Sequence, residues 1–189
     1  KLHLRIQSTM IYVTHDQAEA MTMSDRITVL NNGILQQIGT ADEVYNKPIN
    51  TFVASFLGSP TINILDSIYK ESNGKVFLDT GIFKLDITNT KNVFGKINNN
   101  SEILLGVRPE NISISKKKDK ETIEAEIFLI EPLGSEINVI VKINDKIMNI
   151  KTSPEINISI GEKVWLKINN QKIHIFNKSG NKLLQKLNS

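Results

Sequence analysis

The sequence predicts a mixed fold: an incomplete α/β unit over residues 1–60, followed by an all-β barrel or sandwich over residues 61–189. Up to Pro60, apolar runs alternate with helix-capping signals. Beyond Pro60, short β-branched runs are separated by Asn, Asp and Gly turns. The α/β part also reads as a remnant, because a parallel strand needs neighbours on its edges and helices on its faces. The first strand-like run, residues 10–13, has only nine residues before it.

In chain order, the run at 10–13 is expected to hand directly to a helix, since Thr14 followed by Gln17 has the form of a capping box. Ala18, Met21 and Met23 supply the apolar positions of that helix, and Ser24-Asp25 ends it. Residues 26–30 resume strand character, turn at Asn31-Asn32-Gly33 and return through 34–38 as a hairpin. Thr40 with Glu43 is a second capping box, opening a short helix that stops before Pro48. Asn50 caps a further helix over 51–57, ended by Gly58 with Pro60 behind it.

Strands are then expected at 62–69, 75–79, 82–87, 103–107, 123–130, 137–143, 147–151, 164–168 and 173–176. That many short strands imply a sandwich or small barrel. Asn73-Gly74 and Asn144-Asp145 are the clearest hairpin turns, and the polar stretch 92–101 reads as a loop.

Composition narrows the function. The 189 residues contain no cysteine, which removes disulfides and thiol catalysis and suits a reducing compartment. No run approaches the roughly 20 apolar residues of a membrane span, so a soluble chain without an anchor is expected. The net charge is +3, but basic residues are interleaved with Asp and Glu, and aromatics are only 6%. A nucleic-acid surface needs a basic groove and stacking platforms, so no nucleic-acid partner is expected. Lys116-Lys117-Lys118, followed by Asp119, Lys120 and Glu121, reads as a solvated loop tip.

His15 is the sharpest candidate. It stands where a predicted strand passes into a helix, the position at which open α/β sheets bind ligands and helix amides attract anions. An imidazole there can donate to a phosphate oxygen or an attacking water. Asp16 favours the same helix start electrostatically and is read as structural.

The stretch Met10-Ile11-Tyr12-Val13-Thr14-His15-Asp16-Gln17-Ala18-Glu19-Ala20-Met21 resembles the switch-histidine region of ABC ATPases. Ser24-Asp25-Arg26-Ile27, Gln37-Ile38-Gly39-Thr40 and Tyr45-Asn46-Lys47-Pro48 follow it in that family's order. Phe52-Val53-Ala54-Ser55-Phe56-Leu57-Gly58-Ser59-Pro60 resembles the exit from the nucleotide-binding domain. Gly106-Val107-Arg108-Pro109-Glu110-Asn111-Ile112, Glu131-Pro132-Leu133-Gly134-Ser135-Glu136 and His174-Ile175-Phe176 resemble its regulatory barrel. The likeness is greatest to ATPase subunits of carbohydrate importers.

The resemblance implies that residues 1–60 are the C-terminal tail of a P-loop-type nucleotide-binding domain. Residues 61–189 would be an oligonucleotide-binding-fold-like, transport-associated barrel. It implies that His15 contacts the γ-phosphate of ATP in the intact subunit, with Mg²⁺ held by parts upstream. No G-x-x-x-x-G-K-[ST] loop occurs in the chain, so the chain alone is expected neither to bind ATP tightly nor to hydrolyse it. No metal site is expected.

Arg108 and Glu110, flanking Pro109, read as a structural or interface salt bridge, and Glu136 as a further regulatory or interface candidate. Trp165 reads as core or dimer-interface packing, and His174 as a satisfied structural histidine. Implied partners are a second copy, the transmembrane permease subunits, and a regulatory protein or small ligand at the barrel. The implied location is the cytoplasmic face of the membrane. The rival cargo classes are polyamine, sulfate and iron; the rival class of protein is a free-standing β-barrel binding module. If residues 10–13 have lost their sheet partners, a dimer, an exchanged segment or a mobile N-terminal region is expected.

Overall fold

The computed structural model describes residues 8–180 and 182–184. After Pro60 the chain forms antiparallel strands, as the β-branched runs require. In order these are β3 (Asn63–Ser72), β4 (Lys75–Asp79), β5 (Lys84–Asp86), β6 (Glu102–Val107), β7 (Ile112–Ser115), β8 (Ile123–Pro132), β9 (Ile137–Ile143), β10 (Lys146–Thr152), β11 (Lys163–Ile168) and β12 (Ile173–Asn177). One five-stranded sheet runs β10-β9-β8-β11-β7 and the other β12-β6-β3-β4-β5. Alternate residues of both, among them Leu78, Leu105, Val139, Ile150 and Leu166, meet in one shared core. The side chain of Asn63 joins the sheets like an extra peptide. Its Nδ2 donates to the Asn149 and Val107 carbonyls at 2.9 and 3.1 Å, and its Oδ1 accepts from the Asn149 amide at 2.8 Å.

Among the described residues before Pro60 lie three short helices and a hairpin. They are α1 (Gln17–Met23), β1 (Ile27–Asn31), β2 (Ile34–Gly39), α2 (Ala41–Asn46) and α3 (Thr51–Phe56). The hairpin turns through Asn32 and Gly33 at φ 49° and 78°, as an Asn-Gly pair permits. Thr40 and Glu43 form the reciprocal capping box of α2, and Asn50 Oδ1 caps α3 by accepting from the Val53 amide at 2.8 Å. Ile27, Val29, Val44, Val53 and Leu57 make a small core of their own.

Several sequence expectations are corrected here. Residues 10–13 form no strand: Ile11 and Val13 are 92% and 90% exposed, because no described strand offers them a ladder. Nor is Thr14 the cap of α1. Asp16 takes that place, accepting from the Ala18 and Glu19 amides at 2.8 and 3.1 Å. Ala20 and Met21, rather than Ala18 and Met23, face the small core. Strand β7 lies outside every expected run.

The two parts are joined. Ala54 of α3 packs with Ile62, Phe176 and Leu183 on the outside of the barrel. Thr51 donates from its amide to the Gly180 carbonyl at 2.8 Å, and the Leu183 amide donates to the Ile49 carbonyl at 2.8 Å. Among the described residues, no helix is long and apolar enough to cross a membrane.

Candidate functional site

His15 is exposed at a bend directly before α1. Its position is held from both sides by local hydrogen bonds. On one side Tyr12 Oη and Thr14 Oγ1 both donate to Glu19 Oε2, at 3.1 and 3.0 Å. On the other, Asp16 caps the helix, and its own amide donates to Thr14 Oγ1 at 2.9 Å. The hydrogen bond to Glu19 also raises the Tyr12 phenol above its ordinary pKa, since a nearby carboxylate disfavours the phenolate. The arrangement presents an imidazole to solvent on a short, capped helix.

Arg108 lies elsewhere, at the seam between the α/β part and the barrel. It is 2% exposed, and its salt bridge to Glu110 does not form. Its Nη1 donates instead to the carbonyls of Ala54, at 2.9 Å, and Leu57; Nη2 donates to the Tyr45 carbonyl at 2.8 Å. The guanidinium carbon sits 3.9 Å from the centroid of the Tyr45 ring, a cation–π contact. Backbone carbonyls replace the expected carboxylate because the ends of α2 and α3 leave carbonyls without helical partners. Burial pulls the guanidinium below its ordinary pKa, opposed by Tyr45 and Glu110.

Glu110 is coupled to this arginine through Tyr45, whose hydroxyl donates to Glu110 Oε1 at 2.6 Å. Burial, and then that hydrogen bond, push the Tyr45 phenol up to about 12. Glu136 pairs with Lys151 at 2.8 Å. Tyr45, Glu110, Ser135, Glu136, Lys151 and Thr152 line one open groove of roughly 460 Å³, so Glu110 and Glu136, read separately in the sequence, come together. A second polar cleft, around Lys75, Asp86, Glu121 and Asn170, contains none of the candidates, and neither cleft includes His15.

Trp165 is half-buried, on the side of β11 opposite the core residues Val164 and Leu166, so it is not core. His174 is buried against Phe176, with ring centroids 6.2 Å apart. Sequence reasoning passed over Tyr45 and Gln17. Tyr45 carried a signal, an aromatic near the end of a short helix; Gln17 carried none beyond its apparent capping role.

Two family models match the chain: the MalK OB fold domain over residues 58–112 and the TOBE domain over residues 105–176. The trehalose/maltose import ATP-binding protein MalK of Thermococcus litoralis is 39% identical over 97% of this chain and 50% of its own length. The sn-glycerol-3-phosphate import ATP-binding protein UgpC of Psychromonas ingrahamii is 35% identical over 98% of this chain and 48% of its own. The oligosaccharides import ATP-binding protein MsmX of Bacillus subtilis is 35% identical over 93% and 49%. The chain thus spans about half the length of the curated relatives it matches. Among solved structures, the cytoplasmic molybdate-binding protein ModG aligns at 9% identity with a TM-score of 0.46, over 61% of this chain and 95% of that one. That likeness is too distant to bear on function.

Proposed function

The chain belongs to the family of ATP-binding subunits of carbohydrate-type ABC importers, matching their C-terminal regulatory region, and from that premise we propose that it is the part that completes and regulates ATP hydrolysis. Residues 1–60 are the tail of the nucleotide-binding domain, and residues 61–189 are the regulatory barrel. The complete subunit works at the cytoplasmic face of the membrane, with transmembrane permease subunits and a second copy of itself. Its cargo is a sugar or glycerol 3-phosphate, as the names of its relatives suggest.

ATP and Mg²⁺ serve the complete subunit, where the nucleotide supplies the phosphoryl group whose release drives transport. No phosphate loop is present in the 189 residues, so nucleotide binding is assigned to the complete subunit. What the chain contributes is His15. His15 stands exposed at the start of α1, where Asp16 caps the helix and Glu19 accepts from Thr14, and in the complete subunit its imidazole would donate a hydrogen bond to a terminal phosphate oxygen. Phosphoryl transfer depends on positioning and charge stabilisation, so one well-placed hydrogen-bond donor carries weight.

That exposed imidazole, between Thr14 and Asp16 which are each held by local hydrogen bonds, is the observation that carries the reading. In the complete subunit, His15→Ala is expected to lower turnover by about 10²–10³-fold, the usual scale for losing one oriented donor, with nucleotide binding retained. Titration of a fluorescent ATP analogue with Mg²⁺ should give binding by the complete subunit and none by this chain. No response from either would favour a free-standing barrel module; unchanged turnover in His15→Ala would remove the histidine from the mechanism.

A further inference from the structure

The C-terminal end of α3 is gripped by side chains from two distant parts of the chain. A helix leaves its last carbonyls without internal partners, and a cation near them is favourable. Helix α3 has no basic residue in its last turn. Arg108, from the barrel, takes the carbonyls of Ala54 and Leu57. Gln17, the first residue of α1, takes the next groups along: its Nε2 donates to the Phe56 carbonyl at 2.5 Å, and its Oε1 accepts from the Gly58 amide at 2.9 Å. Gly58 makes the close approach feasible. Its φ is 115°, and a Cβ there would stand 3.0 Å from Arg108 Nη1.

Gln17 lies two residues after His15, on the helix whose N-cap, Asp16, directly follows the histidine. We propose that Gln17 and Arg108 are positioning residues which, by sharing the end of α3, make the placement of α1 and His15 respond to the placement of the barrel. The significance for hydrolysis rests on the role given to His15 above; the linkage itself does not. Residues 54–58 are a joint between the two parts. A regulator or partner that shifts the barrel by a fraction of an ångström changes how Arg108 holds the joint. Gln17 passes that change to the helix start, because both side chains bond to the same short stretch of backbone.

Amide hydrogen exchange on the full chain tests this without nucleotide, comparing wild type, Gln17→Ala, Arg108→Lys and the double variant. Gln17 is on a surface helix, so its variant keeps the fold, and slow exchange in β9 and β10 reports an intact barrel in every case. Gln17→Ala should speed exchange at Gly58 and in α1. Arg108→Lys should speed exchange in α1 by about five- to tenfold, the scale of a modest coupling between sites, and add nothing once Gln17 is Ala. The linkage is overturned if Gln17→Ala leaves Gly58 unchanged, or if Arg108→Lys leaves α1 unchanged or acts equally with and without Gln17. These readouts can fail while His15→Ala still lowers turnover, and can succeed while it does not.

Discussion

The barrel and the segment before it are built from different elements and are held together differently. In the barrel, both sheets close on a common core, with Leu78, Leu105, Val139, Val141 and Ile150 fully buried. The segment before Pro60 has the five-residue core around Val44 and Val53, while Leu30, Ile34 and Leu35 on its hairpin face outward. A core that small does not offset the entropy of ordering some forty residues. The segment therefore relies on the barrel, through Arg108, the Ala54–Ile62–Phe176 contact and the Thr51–Gly180 hydrogen bonds. The dependence is one-sided: the barrel organises the segment that carries His15.

The sharpest way to break this comparison is to cut a cavity in each core. Ile150→Ala, in the barrel, should cost about 2–5 kcal/mol and unfold both regions together. Val53→Ala, in the small core, removes two methyl groups and should cost about 1.5–2 kcal/mol. Its effect should be confined to residues 17–58, read as faster hydrogen exchange there with the barrel's thermal midpoint unchanged. Equal lowering of the barrel midpoint by both variants would show that the two regions unfold as one unit.

A smaller effect isolates a local element. Thr40→Ala removes the hydroxyl of the capping box in α2 and should cost about 1 kcal/mol of local stability. Because Arg108 Nη2 holds the Tyr45 carbonyl in the last turn of α2, the loosening should reach Tyr45 and stop at the barrel surface. Tyrosine fluorescence is masked by Trp165, so exchange at Val44 and Tyr45 is the better measurement.

Much of this contrast was legible in the sequence, because it depends on local rules. The Asn32-Gly33 and Asn73-Gly74 turns adopt the positive φ values that the pairs encode, Thr40 and Glu43 form the capping box of α2, and Asn50 caps α3. Strand β7 was not legible: Ile112–Ser115 is only four residues behind a proline turn, and its strand character comes from pairing with β11. The run at 10–13 failed for the opposite reason, since β-branched residues make a strand only where a neighbouring ladder exists. At the site, Arg108 and Glu110 stood out as charged residues, but their apparent pairing was an artefact of adjacency. The real partners of Arg108 lie 51 to 63 residues earlier, at carbonyls that no side-chain pattern announces. Gln17 was hidden because its place after Thr14 mimicked a capping box, whereas capping by Asp16 frees its amide to reach Phe56 and Gly58.

The smallest expected effect sharpens the comparison from the barrel side. Asp79 ends β4 and accepts a hydrogen bond from Lys70 Nζ at 2.8 Å and one from the Gly81 amide at 3.1 Å, with Lys84 3.9 Å away. The Lys70 bond first, and then the Gly81 amide, hold its carboxyl below the ordinary range. A carboxyl depressed in the folded state contributes stability that is fully present above the unfolded pKa and is lost as pH falls through the folded one. Asp79→Asn keeps an oxygen for the Gly81 amide but removes the charge that Lys70 and Lys84 face. Its destabilisation should be constant from neutral pH down to about pH 4 and should shrink below that, as the wild-type carboxyl takes up its proton. The shrinkage should appear in the barrel's denaturant midpoint and leave the exchange of α1 unaffected, because Asp79 stands on β4, away from the α3 joint. A pH-independent difference would mean that the charge adds nothing and that the turn alone requires Asp79.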